Sequence, residues 1–335
     1  MDPRPADVAQ AATAPPTPDP APGLARDGPA VGAMALLFLG SIGLAMAFSS
    51  VFDEPVFEDK ESLANPLIYL AIVVVFTVVI LLIAKFAKRV IIKYIILGSV
   101  LLTIFYVAEP LLELVMPPMA ATALAAAIGG LLTALLWWYP EWWVIDATGV
   151  LVAAGAAGIF GISFGLLPAL LLLAGFAIYD AIAVYRTKHM LDLADSVLEL
   201  RLPIMFVVPK TRGYSFLEET RRIRPKDEEP AEERKPREAM FMGLGDAVIP
   251  GVLVVASLVS LDPAVAAGGL SGAMAVALAT LAGSFLGFLV LMWFVLKGQA
   301  HAGLPLLNGG AIAGFFLALL PLYGIDPLLV AFRGA

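Results

Sequence analysis

Long apolar runs separated by short polar interruptions make up most of the chain, and they recur at the length a membrane-crossing helix needs. About 20 residues at roughly 1.5 Å each cross a hydrocarbon layer of about 30 Å. Runs of that kind occupy approximately residues 31–52, 66–84, 90–108, 118–138, 144–162, 166–185, 239–261, 270–296 and 302–323. The pattern predicts an all-α, polytopic membrane protein with nine transmembrane helices. Only Gly158, Gly161, Gly165 and Pro168 divide the fifth run from the sixth. If those two runs formed one helix, the orientation of everything after them would reverse.

The polar stretches complete the organisation. Residues 1–29 hold eight prolines among alanines and scattered aspartates, a composition that buries too little to offset its ordering entropy, and they are expected to form a disordered tail. That tail is acid-bearing and precedes an apolar run long enough to span, so it is not expected to be a secretory signal. Residues 30–185 then carry helices one to six, residues 186–238 a hydrophilic loop and residues 239–335 helices seven to nine. Within the loop, Leu193, Val197, Leu198 and Leu200 have helix-like spacing, which suits a segment lying along the membrane surface. From about Thr211 to Pro236 the chain reads as a solvated linker.

Composition excludes whole classes of function. Of 335 residues, 60% are apolar and 15% charged, which rules out a water-soluble enzyme. The chain has no cysteine, so disulfides, thiolate nucleophiles and cysteine-based metal sites are excluded. The two histidines, His189 and His301, leave little for metal chemistry, and no metal or cofactor is expected. The net charge of −7 matters less than where charge falls, because Lys and Arg mark cytoplasmic loops. Lys85, Lys88, Arg89 and Lys93 lie between the second and third runs, and Lys297 between the eighth and ninth; the 186–238 loop holds twelve of the 21 basic residues. The first and third connections are acidic instead. All basic loops share one side only with nine spans, a cytoplasmic N-terminus and loop, and an extracytoplasmic C-terminus.

Ionisable side chains inside a span are costly enough to be functional hypotheses by default. Asp180 stands six residues before Arg186, and Asp246 eight residues after Glu238. The sixth helix runs inward and the seventh outward, so these offsets put both carboxyls about 9 and 12 Å below the cytoplasmic edge. Two neighbouring acids in a low dielectric resist ionising together and can share one proton. Such a pair suits hydrolysis by water. One member removes a proton from water while the other hydrogen-bonds the carbonyl under attack, and the roles then reverse. Gly243 and Gly245 would let another backbone come close.

These residues resemble the signatures of the presenilin and signal peptide peptidase family. Tyr179-Asp180 resembles its YD motif, and Gly243-Leu244-Gly245-Asp246 its GxGD motif, in the sixth and seventh of nine spans. Pro305-Leu306-Leu307 resembles its PAL motif with leucine in place of alanine, which is closer to microbial members than to animal presenilins. The resemblance implies an intramembrane aspartyl protease that cuts transmembrane helices of membrane proteins within the lipid bilayer. Asp180 and Asp246 would be catalytic, and Tyr179, Gly243, Leu244, Gly245, Pro305, Leu306 and Leu307 would contact substrate. The cytoplasmic N-terminus matches presenilin rather than the inverted signal peptide peptidase arrangement and suggests type I membrane proteins as substrates. Nothing in the chain speaks to accessory subunits. Proline lacks an N–H and so leaves a nearby carbonyl open to an extended peptide, and an unwound substrate helix needs such partners.

A cation or proton pathway through the same two aspartates is the alternative, since membrane acids often line such routes. Gly161-Ile162-Ser163-Phe164-Gly165 matches the GxSxG pattern of serine hydrolases but lacks the strand-turn-helix setting that gives it meaning. Asp146 reads as an interfacial residue at the inner end of the fifth span, with a minor part in hydrating the site as the alternative. Trp137, Trp138, Tyr139, Trp142 and Trp143 read as an aromatic belt. The acids of the 186–238 loop nearly balance its bases, which argues against nucleic-acid binding.

Overall fold

The computed structural model describes residues 24–52, 55–86, 89–187, 205–211, 213–218, 238–297 and 301–333. Its helices are α1 (Leu24–Phe48), α2 (Ala64–Phe86), α3 (Arg89–Glu113), α4 (Pro118–Trp138), α5 (Trp142–Ser163), α6 (Leu166–Ile182), α7 (Gly245–Ser260), α8 (Gly272–Leu296) and α9 (Gly303–Tyr323), with a short α10 (Val330–Arg333) after them. Among the described residues, seven helices are long and apolar enough to cross a membrane, and Ala64–Ile80 and Gly245–Ser260 are shorter apolar stretches. The break at Gly158–Pro168 falls between Ser163 and Leu166, so the fifth and sixth runs are separate helices.

Three of the expectations need correction. Residues 24–29, assigned to the tail, form the start of α1, where Asp27 is buried and ion-paired with Lys210 at 3.7 Å; residues 1–23 lie outside the described residues. The apolar run 239–261 is not one helix. Its first five residues form strand β2 (Ala239–Gly243), antiparallel to β1 (Met205–Pro209), and α7 starts only at Gly245. Finally, the linker expected from Thr211 is partly core, because Tyr214 and Phe216 are buried. The surface helix expected around Leu193–Leu200 lies outside the described residues.

The ribbon forms because Phe206-Val207-Val208 are strand formers, and they have apolar cover on both faces. Phe206 packs with Met34, Phe38 and Phe288 of α1 and α8, while Val207 joins Leu97, Leu136 and Ile145 of α3, α4 and α5. A third cluster, with Leu173, Phe176, Val252, Ala311 and Phe315, binds α6, α7 and α9 together. Helices α8 and α9 meet backbone to backbone, Gly283 facing the Gly310 carbonyl and Gly287 facing that of Leu306. No side chain larger than hydrogen fits at those crossings. A second ribbon, β3 (Ala266–Ala267) and β4 (Leu270–Ser271), turns through Gly268 and Gly269 at φ 56° and 91°, a geometry that glycine adopts without steric cost.

The loop between α1 and α2 is seated on the α5–α6 turn. Val56 N–H donates to Ser163 Oγ at 2.8 Å, and Gly165 N–H to the Lys60 carbonyl at 2.8 Å. The serine of the GxSxG-like stretch is therefore a buried link between loops. Lys93 lies 4.2 Å above the Trp137 ring, and Trp138 and Trp143 are exposed, an arrangement suited to a membrane interface.

Candidate active site

Helix α6 ends where Asp180 is, and the chain continues as a π-helical turn, Ala183–Thr187. Such wide turns alter the direction of neighbouring side chains and recur at functional sites. Asp180 is buried, with 7% of its surface exposed. Its Oδ2 accepts the Leu304 N–H at 3.1 Å. Leu304 is the second residue of α9. A helix N-terminus leaves its first N–H groups unsatisfied and carries partial positive charge, so the Asp180 carboxylate caps α9 from another helix.

Asp246 reaches the same place from the third direction. Strand β2 turns into α7 through a single residue, Leu244, whose carbonyl accepts the Ala247 and Val248 amides at 3.1 and 3.0 Å. Asp246 therefore sits in the first turn of α7, where an anion is favoured. The two aspartates lie within electrostatic reach of each other. A Cβ placed on Gly303 would be 3.4 Å from Asp246 Oδ1. The start of α9 thus meets both acids, through the Leu304 amide on Asp180 and through the bare Cα of Gly303 against Asp246.

The other expected site residues divide into two groups. Tyr179 is partly exposed beside Asp180, and Gly243 lies over the Asp246 carboxylate, 3.5 Å from Oδ2 to where its Cβ would be. Gly245 is exposed with open space above it, and Pro305 is partly exposed one residue beyond Leu304. Leu244, Leu306 and Leu307 point elsewhere. Leu244 is buried against Gly149 of α5, the Leu306 carbonyl packs on Gly287, and Leu307 is fully buried with Phe288 and Leu291. Those three act through packing in this structure and do not face the acids.

Sequence reasoning missed Leu304, whose contribution is a backbone amide and so carries no side-chain signature, and Gly303, whose missing side chain lets Asp246 come close. It also misplaced Asp146. That carboxylate is buried, and its Oδ1 accepts the Val207 N–H of β1 at 2.7 Å, so it is an internal anchor and not an interfacial group. The GxSxG-like serine stays apart from the acids, held by Val56. Among the described residues no group of three or more His, Asp or Glu could hold a metal ion.

A family model described as signal-peptide peptidase, presenilin aspartyl protease matches residues 31–323. Two solved structures of a presenilin family intramembrane aspartate protease are similar to the chain. One, in space group C222, is 34% identical, with a TM-score of 0.59, covering 85% of this chain and 95% of that one. The other, in space group P2, is 35% identical, with a TM-score of 0.61, covering 86% and 97%. No curated protein matches the chain.

Proposed function

The chain belongs to the signal-peptide peptidase and presenilin aspartyl protease family and is a multi-pass intramembrane aspartyl protease; from that premise we propose that Asp180 and Asp246 are its catalytic pair. The observation that carries this reading is the meeting of both carboxyls at the start of α9, Asp180 on the Leu304 amide and Asp246 against Gly303. Helices α6, α7 and α9 each deliver one part of the site.

The chemistry follows from two acids sharing one proton. The ionised carboxylate takes a proton from water while the protonated carboxyl hydrogen-bonds the scissile carbonyl oxygen. A C–O bond forms as the carbonyl π bond opens and the protonated carboxyl passes its proton to the carbonyl oxygen, giving a tetrahedral diol with the two acids' roles exchanged. The C–N bond then breaks as the carboxyl that took the water proton passes it to the leaving nitrogen and the other carboxylate takes one diol hydroxyl proton, and the products are a carboxylic acid and an amine. The proton count is unchanged at the end, and no side-chain nucleophile takes part. The proton belongs to the pair and not to one residue.

A transmembrane helix hides its amides, so its substrate stretch has to unwind before water reaches it. Freed backbone groups in lipid need partners, and β2, which leads directly into Gly243 and Asp246, is the nearest extended backbone. Substrate strands laid along this ribbon would meet Tyr179 and Pro305 at the same mouth. On the distribution of Lys and Arg, the N-terminus and the 186–238 loop face the cytoplasm and the C-terminus faces outward, which favours type I membrane proteins as substrates. Family membership also favours proteolysis over ion conduction as the use of these acids.

The test is cleavage of a membrane-spanning peptide by the purified chain in detergent. Asp180→Ala and Asp246→Ala each abolish cutting while leaving the melting transition in place. Near-normal cutting by either variant overturns the assignment.

A further inference from the structure

Three buried acids outside the candidate site all hold one stretch of chain. Asp27 of α1 pairs with Lys210. Glu141, just before α5, accepts the Ser215 hydroxyl at 2.6 Å and the Phe216 N–H at 3.1 Å. Asp146, inside α5, accepts the Val207 N–H at 2.7 Å. Their exposures are 4%, 7% and 6%. A buried carboxylate is expensive, and all three are placed on residues 207–216, ahead of the strand that leads to Asp246.

The direction of the Val207 bond is informative. The Lys210 amide donates to the Glu238 carbonyl, so the hydrogen-bonded pairs of the ribbon are Val208 with Met240 and Phe206 with Met242, given the register. In an antiparallel pair the alternate residues turn their N–H groups outward. Val207 is one of them. Asp146 therefore occupies the outer edge of β1, the side away from β2. One turn along the same face of α5, Gly149 receives both Phe206 and Leu244, whose side chains come within 3.3 and 3.1 Å of where its Cβ would be. Helix α5 thus grips the segment twice, once through the first strand and once through the residue between the two glycines that precede Asp246.

We propose that Asp146 is a positioning residue of the protease, which holds the ribbon so that substrate is presented to the aspartates in one register. The inference rests on the proteolytic reading above. Asp146 touches neither acid and acts through β1, its partner strand and the Gly149 seat. With the Val207 amide released, the ribbon has slack, and an unwound substrate lying along it can slide by one or more residues before it is cut.

The experiment compares the wild-type chain with Asp146→Asn, Asp146→Leu and Val207→Pro on one membrane-spanning peptide, mapping the cleaved bonds by mass spectrometry and measuring KM. Asp146→Asn keeps an acceptor oxygen and cuts at the wild-type bond. Asp146→Leu removes the acceptor, and Val207→Pro removes the donor on the edge that makes no ladder bond to β2. Each of the latter shifts the ratio of main to neighbouring products by about tenfold and raises KM similarly, the effect of one hydrogen bond to a charged group. The double variant Asp146→Leu with Val207→Pro is no worse than either alone. A merely structural role would lower the amount of active enzyme without moving the cleaved bond or KM, and that result overturns the proposal, as does additivity of the two changes. If Asp146→Leu does not fold, Val207→Pro measured against wild type decides alone, an unmoved product ratio counting against it. Absence of cutting by wild type would instead remove the proteolytic reading.

Discussion

The Leu304 backbone amide donates to Asp180 across a bond of 3.1 Å that joins the start of α9 to the end of α6. The altered PAL stretch thus contributes through the residue just before it, and its Leu307 is buried in the packing. A prediction follows from the bond alone. Leu304→Pro deletes the donor at the second residue of a helix, where proline is otherwise tolerated. It should lower kcat by about 10- to 100-fold, the range expected for a hydrogen bond to a charged group. Leu304→Val keeps the amide and should stay close to wild type. Equal losses in both variants would trace the effect to the side chain.

The pair should also show itself in the pH dependence of cleavage. At low pH both carboxyls are protonated and no base remains to activate water. At high pH neither holds a proton and nothing polarises the scissile carbonyl. Activity is therefore bell-shaped, with both limbs belonging to the pair. Asp180→Asn and Asp246→Asn should each lower the rate by at least about a thousandfold. A rate that stays flat from acid to alkaline pH, under conditions where chemistry limits turnover, would sink the shared-proton mechanism.

How much of this was legible beforehand depends on which atoms do the work. Side-chain periodicity exposed the helices, and two acids in apolar surroundings stood out because lipid makes them costly. The ribbon was missed for a physical reason. Met240-Phe241-Met242 continues an apolar run into α7, and a buried strand and a buried helix are alike in hydrophobicity over five residues. The stretch Pro203-Ile204-Met205-Phe206-Val207-Val208-Pro209, bounded by prolines, carried the signal that was available. Asp146 was read by its depth alone, and its partner, an amide 61 positions away, leaves no trace in its neighbours. Leu304 works through an amide that every non-proline residue has.

Glu61 gives a prediction about stability outside the membrane. Its carboxyl is held above the ordinary value of 4.5, first because burial disfavours its charge and second because Asp59 repels it. The side chain lies over Gly165 at the α5–α6 turn. A raised value means that the folded chain holds this proton more tightly than the unfolded chain does. The resulting stability is complete below the unfolded value and is lost as pH rises through the folded one. Glu61→Gln removes that loss. Thermal melts should show the variant more stable than wild type at about pH 7.5 and indistinguishable from it at about pH 3.5. A variant no more stable than wild type at neutral pH would show that Glu61 is ionised there at no cost.

Asn308 supplies a second tie between α6 and α9, one turn beyond the Leu304 bond. Its Nδ2 donates to the Leu173 carbonyl at 2.9 Å, while its buried Oδ1 has no partner among the described residues. Asn308→Leu removes the tie together with the unpaired oxygen. These changes oppose each other, and a hydrogen bond between membrane helices is worth only about 0.6 kcal/mol on average. Stability should therefore move by no more than about 1 kcal/mol. Turnover should respond more strongly, because the start of α9 then has one anchor on α6 where it had two, and small misplacements of reacting groups cost heavily. A fall in kcat of about tenfold is expected. Unchanged turnover would mean that backbone packing against α8, where Gly283 and Gly287 meet α9, is enough to hold the Leu304 amide on Asp180.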